Sequence, residues 1–136
     1  MIYFFASGNT PFTLSIFNSK CYVRDEDGDV AFFESISFQE NDTVLQIDHF
    51  ALTTDLRNKG RAEEVLRAFA ELVAVQKPAI LEIKFSLHRR LTGDIQSLAD
   101  GRERLLRRIG AIDVWQERPN SYGVIVVHGR WRSDDW

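Results

Sequence analysis

Apolar and polar positions keep one period up to about residue 52 and another afterwards. Residues 1–6 and 12–17 are apolar and aromatic, with Gly8-Asn9 and Pro11 between them, which predicts two strands joined by a turn. Cys21 to Arg24 predicts a further short strand. Asp25-Glu26-Asp27-Gly28-Asp29 interrupts it, and Asp27-Gly28 is a hairpin signal. Val30 to Phe38 and Val44 to Leu52 read as strands, separated by a turn at Glu40-Asn41-Asp42. This half of the chain is therefore expected to form an antiparallel meander.

From Ala62 the apolar residues fall at Val65, Leu66, Phe69, Leu72, Val73 and Val75, with Glu63, Glu64, Arg67 and Glu71 between them. That spacing predicts an amphipathic helix, ended by Pro78. Ala79 to Leu87 alternates as a strand, and a second helix is expected from about Asp94 to Arg108, closed by Gly110. Ile112 to Gln116 and Gly123 to Trp131 are expected as closing strands, with a turn at Arg118-Pro119-Asn120-Ser121. The order predicts a mixed α/β (α+β) fold, mostly antiparallel, whose central strand–helix–strand unit makes a parallel crossover.

Composition narrows the classes. A chain of 136 residues with 44% hydrophobic and 12% aromatic side chains has enough apolar surface for one core, so a single domain over residues 1–136 is expected. No apolar run approaches the ~20 residues that cross a bilayer, which excludes a helical membrane anchor within this sequence. The one cysteine, Cys21, has no internal partner for a disulfide, which fits a reducing, cytoplasmic setting. The net charge of -3 hides a split: residues 1–56 carry nine acids against Lys20 and Arg24, whereas residues 57–136 carry 15 basic residues against 11 acids. A basic second half suits an anionic ligand.

The chemistry concentrates between Ile47 and Ala62. A buried strand runs into Thr53-Thr54-Asp55-Leu56-Arg57-Asn58-Lys59-Gly60 and then into a helix. Main-chain N–H groups at a helix start lack intrahelical partners and face an anion well. Gly60 lets backbone approach closely, and Arg57 and Lys59 add charge. The loop is neither a Walker A loop nor a dinucleotide fingerprint, which need other glycine spacings.

Arg57-Asn58-Lys59-Gly60-Arg61-Ala62 resembles the coenzyme-A-binding motif of GNAT N-acetyltransferases (Gln or Arg, two residues, Gly, one residue, Gly or Ala). Ile47 to Asp55 is similar to that family's fourth strand and the bend leaving it. The likeness covers about residues 30–131. It implies a GNAT-like twisted sheet and an acyl-CoA-dependent N-acyltransferase, with acetyl-CoA as donor and a primary amine as acceptor. Ala51, Leu52 and Thr53 would pair with the pantetheine arm. Backbone from Arg57 through Asn58, Lys59, Gly60 and Arg61 to Ala62 would cradle the pyrophosphate. Asp48 falls where many members have a Glu general base.

Several residues depart from that pattern. Members commonly place a Tyr four residues before the glycine that ends the second helix, as acid toward the thiolate. Counting back from Gly110 gives Leu106, which has no proton to give; Tyr122 and His88 are the candidates to replace it. The helices usual after the first strand are reduced or absent, since no helical period precedes Ala62. A non-catalytic GNAT-like interaction or regulatory module, still binding coenzyme A, is the alternative reading.

Other residues take plainer readings. His49 follows Asp48, so strict alternation would send the two to opposite faces. The histidines 49, 88 and 128 show no metal-ligand spacing, and no metal is expected. Arg104, Arg107 and Arg108 share a helix face, for which solvated surface, rather than nucleic acid, is the expectation. Trp136, in a polar terminus, is expected to pack on the domain or on a second copy in a homodimer.

Overall fold

The computed structural model describes residues 2–7, 10–17, 20–25, 28–52, 61–88, 95–117 and 124–136. Five strands come first: β1 (Ile2–Ser7), β2 (Thr10–Phe17), β3 (Lys20–Asp25), β4 (Gly28–Gln39) and β5 (Val44–Leu52). They are followed by α1 (Arg61–Gln76), β6 (Glu82–Leu87), α2 (Ile95–Ile109), β7 (Ile112–Gln116) and β8 (Val127–Arg132). The strands form one sheet in the order β1-β2-β3-β4-β5-β6-β8-β7. Only β5 and β6 pair in parallel; every other neighbouring pair is antiparallel. The expected α/β order, with strands where the N-terminal helices would stand, is therefore the observed one.

Element boundaries differ from the periodic reading where hydrogen bonding overrides it. β6 starts at Glu82 rather than Ala79, because Lys77 to Ile80 closes a turn (Ile80 N–H to Lys77 O, 2.9 Å) after α1 stops short of Pro78. β8 starts at Val127 rather than Gly123, since its register with β6 runs from Leu87–Val127 to Glu82–Arg132. The expected turns at Asp27 and at Arg118–Ser121 involve residues outside those described.

Both helices cover the same face of the sheet. Residues directly opposite in paired strands share a face, so the register puts Leu45, Ile47, Ile83, Phe85, Gly129 and Trp131 together. Leu106 of α2 rests on Gly129. Phe69 of α1 stacks on Phe33 of β4 with ring centroids 4.2 Å apart, and Phe33 lies 4.9 Å from Phe50 of β5. Because α1 and α2 touch each other, these contacts belong to one side. Their buried side chains join a single cluster among the described residues.

That geometry requires a slip in the strands. Ile47 and Phe50 are three residues apart, yet both face the helices, and Asp48 and His49 between them are half-buried. β4 repeats the pattern opposite: Phe33 is buried, Glu34 and Ser35 are not, and Ile36 packs on the core again. Ser35 takes φ 53°, a left-handed conformation that a non-glycine residue adopts only under constraint. The alternation thus skips one residue at the same level in both strands. Asp48 and His49 share the face without helices, contrary to the expectation of opposite faces.

The C-terminus closes on the domain itself. Trp131 is fully buried, and its indole N–H donates to the Asp135 carbonyl at 3.2 Å. The Trp136 indole donates to the Trp131 carbonyl at 3.0 Å, with the rings edge-to-face at 6.4 Å. This is the first of the two places expected for Trp136.

Candidate functional site

β5 is bonded to β6 only over its first half. Their register runs from Val44–Glu82 to Ile47–Phe85, and a last bond joins His88 N–H to the Asp48 carbonyl at 3.2 Å. Beyond it β5 continues to Leu52, paired with β4. Among the described residues, no strand pairs with His49 to Leu52 on the β6 side. β5 thus outruns the described part of β6 beyond Asp48. Main-chain groups of the β5 extension are left to face an extended ligand, as an edge strand faces an added strand.

Asp48 stands at the closed end of this stretch, where the described bonding to β6 stops. Its Oδ1 accepts from Gln46 Nε2 at 2.8 Å, and Gln46 Oε1 in turn accepts from Gln39 Nε2 at 2.6 Å. The relay orients both amides and directs the carboxylate, leaving Oδ2 without a partner among the described residues. Gln39 and Gln46 were not singled out from the sequence. Gln46, two residues from Asp48 on an alternating strand, was legible as its neighbour.

Two imidazoles flank the same point. The His49 and His88 rings lie 4.8 Å apart, tilted by 58°, and both side chains are half-buried. His88 Nδ1 is 3.0 Å from the Ser86 carbonyl, an oxygen that only accepts, so Nδ1 carries the hydrogen and Nε2 the lone pair in the neutral ring. The structure thus brings His49 and His88 together with Asp48, a grouping hidden from sequence by the strand slip.

The expected coenzyme residues divide. Ala51 and Leu52 lie on the β5 extension, opposite Phe32 and Ala31 of β4. Thr53, Arg57, Asn58, Lys59 and Gly60 lie outside the described residues. Arg61 and Ala62 open α1, and Arg61 sits 3.7 Å from Glu64. Glu63 is held by Arg67 at 3.1 Å, so the two first-turn carboxylates each have a nearby guanidinium. An anion at this helix start meets a first turn whose negative charge is offset locally.

Leu106 is fully buried against β8, and Tyr122 lies outside the described residues. Cys21 is fully buried on β3, and burial pushes its thiol up to about 12, so it stays protonated and inert at neutral pH. On the basic helix face, Arg107 is tied to Glu103 at 3.6 Å and donates to the Val114 carbonyl at 3.0 Å. That makes it a strap between α2 and β7. Among the described residues, no three His, Cys, Asp or Glu side chains gather as metal ligands, and no helix is long and apolar enough to cross a membrane.

No family model matches the sequence, and no curated protein matches it. Solved structures do match the fold. Spermidine N-acetyltransferase from Vibrio cholerae in complex with CoA and spermine is 12% identical with a TM-score of 0.62, over 85% of this chain and 66% of that one. AAC(6')-Ib in complex with ribostamycin and coenzyme A is 13% identical with a TM-score of 0.60, over 85% and 64%. A GNAT-family acetyltransferase from Bacillus anthracis is 12% identical with a TM-score of 0.59, over 85% and 67%. The chain thus spans about two thirds of the length of these proteins. Strand order, the parallel pairing of β5 with β6, and these likenesses agree: the chain has a divergent GNAT fold.

Proposed function

We propose that the protein is an acyl-CoA-dependent N-acyltransferase that passes an acetyl group from acetyl-CoA to a primary amine. The observation that supports this reading is the β5 edge from His49 to Leu52, which outruns the described part of β6 and has Asp48 at its start. In this reading the pantetheine arm pairs with backbone of Ala51, Leu52 and Thr53. The pyrophosphate rests on backbone N–H groups from Arg57 to Ala62, with Arg57, Lys59 and Arg61 supplying charge.

Asp48, oriented by Gln46, removes a proton from the ammonium form of the acceptor, directly or through one water. The freed lone pair attacks the thioester carbonyl; the C–N bond forms and the C–S bond breaks. No covalent intermediate on the protein is needed. For the proton that the leaving thiolate takes up, the sequence offers Tyr122. The acidic first half of the chain suits a cationic acceptor, in keeping with spermine and ribostamycin in the matched structures. A reducing, cytoplasmic setting and self-association as a homodimer complete the proposal. Trp136 no longer argues for the latter, and solution mass measurement tests it.

A second reading is a coenzyme-binding module without transferase activity, favoured by Leu106 in place of a proton donor. Isothermal titration with acetyl-CoA decides first. Saturable binding supports both readings, and no binding at high micromolar concentration overturns the proposal. Acetylation of any member of an amine panel then separates the transferase from the module.

A further inference from the structure

We propose that His88, with His49 against it, carries the proton of the transfer step that Leu106 cannot handle. The assignment rests on the acyltransfer reading above and names a further catalytic residue for it.

The two rings lie where the described bonding between β5 and β6 stops. Among the described residues His88 is the last bonded across to β5, through its N–H to the Asp48 carbonyl, so its backbone is pinned there. An extended thioester arm that pairs with Leu52 and Ala51 runs toward this closed end at about 3.3 Å per residue. Its acyl carbon therefore arrives beside Asp48, His49 and His88. The bond to the Ser86 carbonyl holds the hydrogen of His88 on Nδ1 and leaves Nε2 as the proton acceptor. The His49 ring, 4.8 Å away, limits the orientations open to His88. Among the described residues, the charged groups around the pair are Asp48 beside His49 on β5, Glu34 opposite His49 on β4, and Lys84 on the same face of β6.

The step balances with one imidazole. The neutral amine attacks the thioester carbon, and its nitrogen becomes positively charged as the C–N bond forms. His88 Nε2 takes that excess proton. As the C–S bond breaks, the sulfur leaves with the electron pair, and the imidazolium returns the proton to it. Amide and free thiol result, with His88 neutral again. A single residue then serves as base and acid in turn, and neither Leu106 nor Tyr122 is required.

The chain has three histidines, and His128, on β8 opposite Ser86, stacks on Trp115 at 4.3 Å, so it is the reference one strand further from β5. Ring resonances of the wild-type protein are followed by NMR during titration with acetyl-CoA, in parallel with calorimetry. The expected result is binding with displaced His49 and His88 signals and an unmoved His128 signal. Release of coenzyme-A thiol is then measured with spermidine, with ribostamycin and with water alone as nucleophile. His88→Ala is expected to slow release on the order of a hundredfold at unchanged coenzyme affinity, with partial recovery on adding free imidazole. Binding with unmoved His49 and His88 signals, or a His88→Ala variant as fast as wild type, overturns the assignment alone. A His88→Ala variant that imidazole does not rescue also overturns it. No binding, or no release above the buffer rate, overturns the acyltransfer reading and this assignment with it.

Discussion

The Leu106 Cδ1 atom on α2 stands 3.0 Å from the point that a Cβ on Gly129 of β8 would occupy. The helix therefore rests on strand backbone at this point, and both residues are buried there. A methyl group on Gly129 must displace Leu106, whose side chain has no exposed surface into which to move. Gly129→Ala is expected to cost about 1 kcal/mol through overpacking, and Leu106→Ala about 2–5 kcal/mol through the cavity left behind. In the Leu106→Ala background the added methyl has room and restricts the unfolded chain, so Gly129→Ala becomes neutral or stabilising. Urea unfolding of the four proteins checks this, and additive costs would show that the two sites do not touch.

The same pair shows what was legible beforehand. Leu106 at the position of a usual tyrosine was readable by counting back from Gly110. That its side chain fills the space above Gly129 was not, because strand register is needed to know which glycine faces the helix. The meander, both helices and the parallel crossover followed from periodicity, since the period changes cleanly at Ala62. The slip at Asp48–His49 left a trace that strict alternation misread. Ile47-Asp48-His49-Phe50 and Phe33-Glu34-Ser35-Ile36 both run apolar, polar, polar, apolar, which a regular strand packed on one face does not do. Two such quartets in neighbouring strands mark a paired irregularity. The pairing of His49 with His88 depends on β6 ending beside it, and no spacing in the sequence shows that.

At Asp48, the amide relay from Gln39 through Gln46 bears on activity rather than on folding. Asp48→Asn is expected to lower turnover on the order of a hundredfold while acetyl-CoA affinity stays the same, because no coenzyme contact is assigned to that carboxylate. Gln46→Ala should lower it by roughly tenfold, since the carboxylate keeps its charge and loses its orientation. Steady-state rates with the accepted amine, alongside calorimetry, measure both. Unchanged turnover in Asp48→Asn removes it as the base.

Cys21 is a packing residue with a thiol held at about 12 by burial. A disulfide reagent such as DTNB is expected to react with it only as fast as the core opens, and rapidly in denaturing urea. Fast, stoichiometric reaction in native buffer at pH 8 would mean a thiolate-competent site on β3. A mild substitution follows the same logic: Cys21→Ala should cost about 1 kcal/mol of stability and leave coenzyme binding intact.

The carboxylate of Asp100 joins α2 to β7, accepting from Gln116 Nε2 and Gln96 Nε2, each at 2.9 Å. Gln96 Nε2 also reaches Gln116 Oε1 at 2.9 Å, so the three side chains form a triangle across the helix–strand contact. The Gln116 bond, and then the Gln96 bond, hold the carboxyl below its ordinary value of 3.8. A folded-state value lower than the unfolded one means that the unfolded chain binds the proton more readily. The stabilisation is then complete above the unfolded value and is lost as pH falls through 3.8 and past the lower folded value. Asp100→Asn, which has no proton to take up, should therefore differ from wild type in urea midpoint at pH 5–7, and the gap should shrink below about pH 4. A gap that persists unchanged to pH 2.5 would assign the difference to packing at α2 rather than to the ionised triangle.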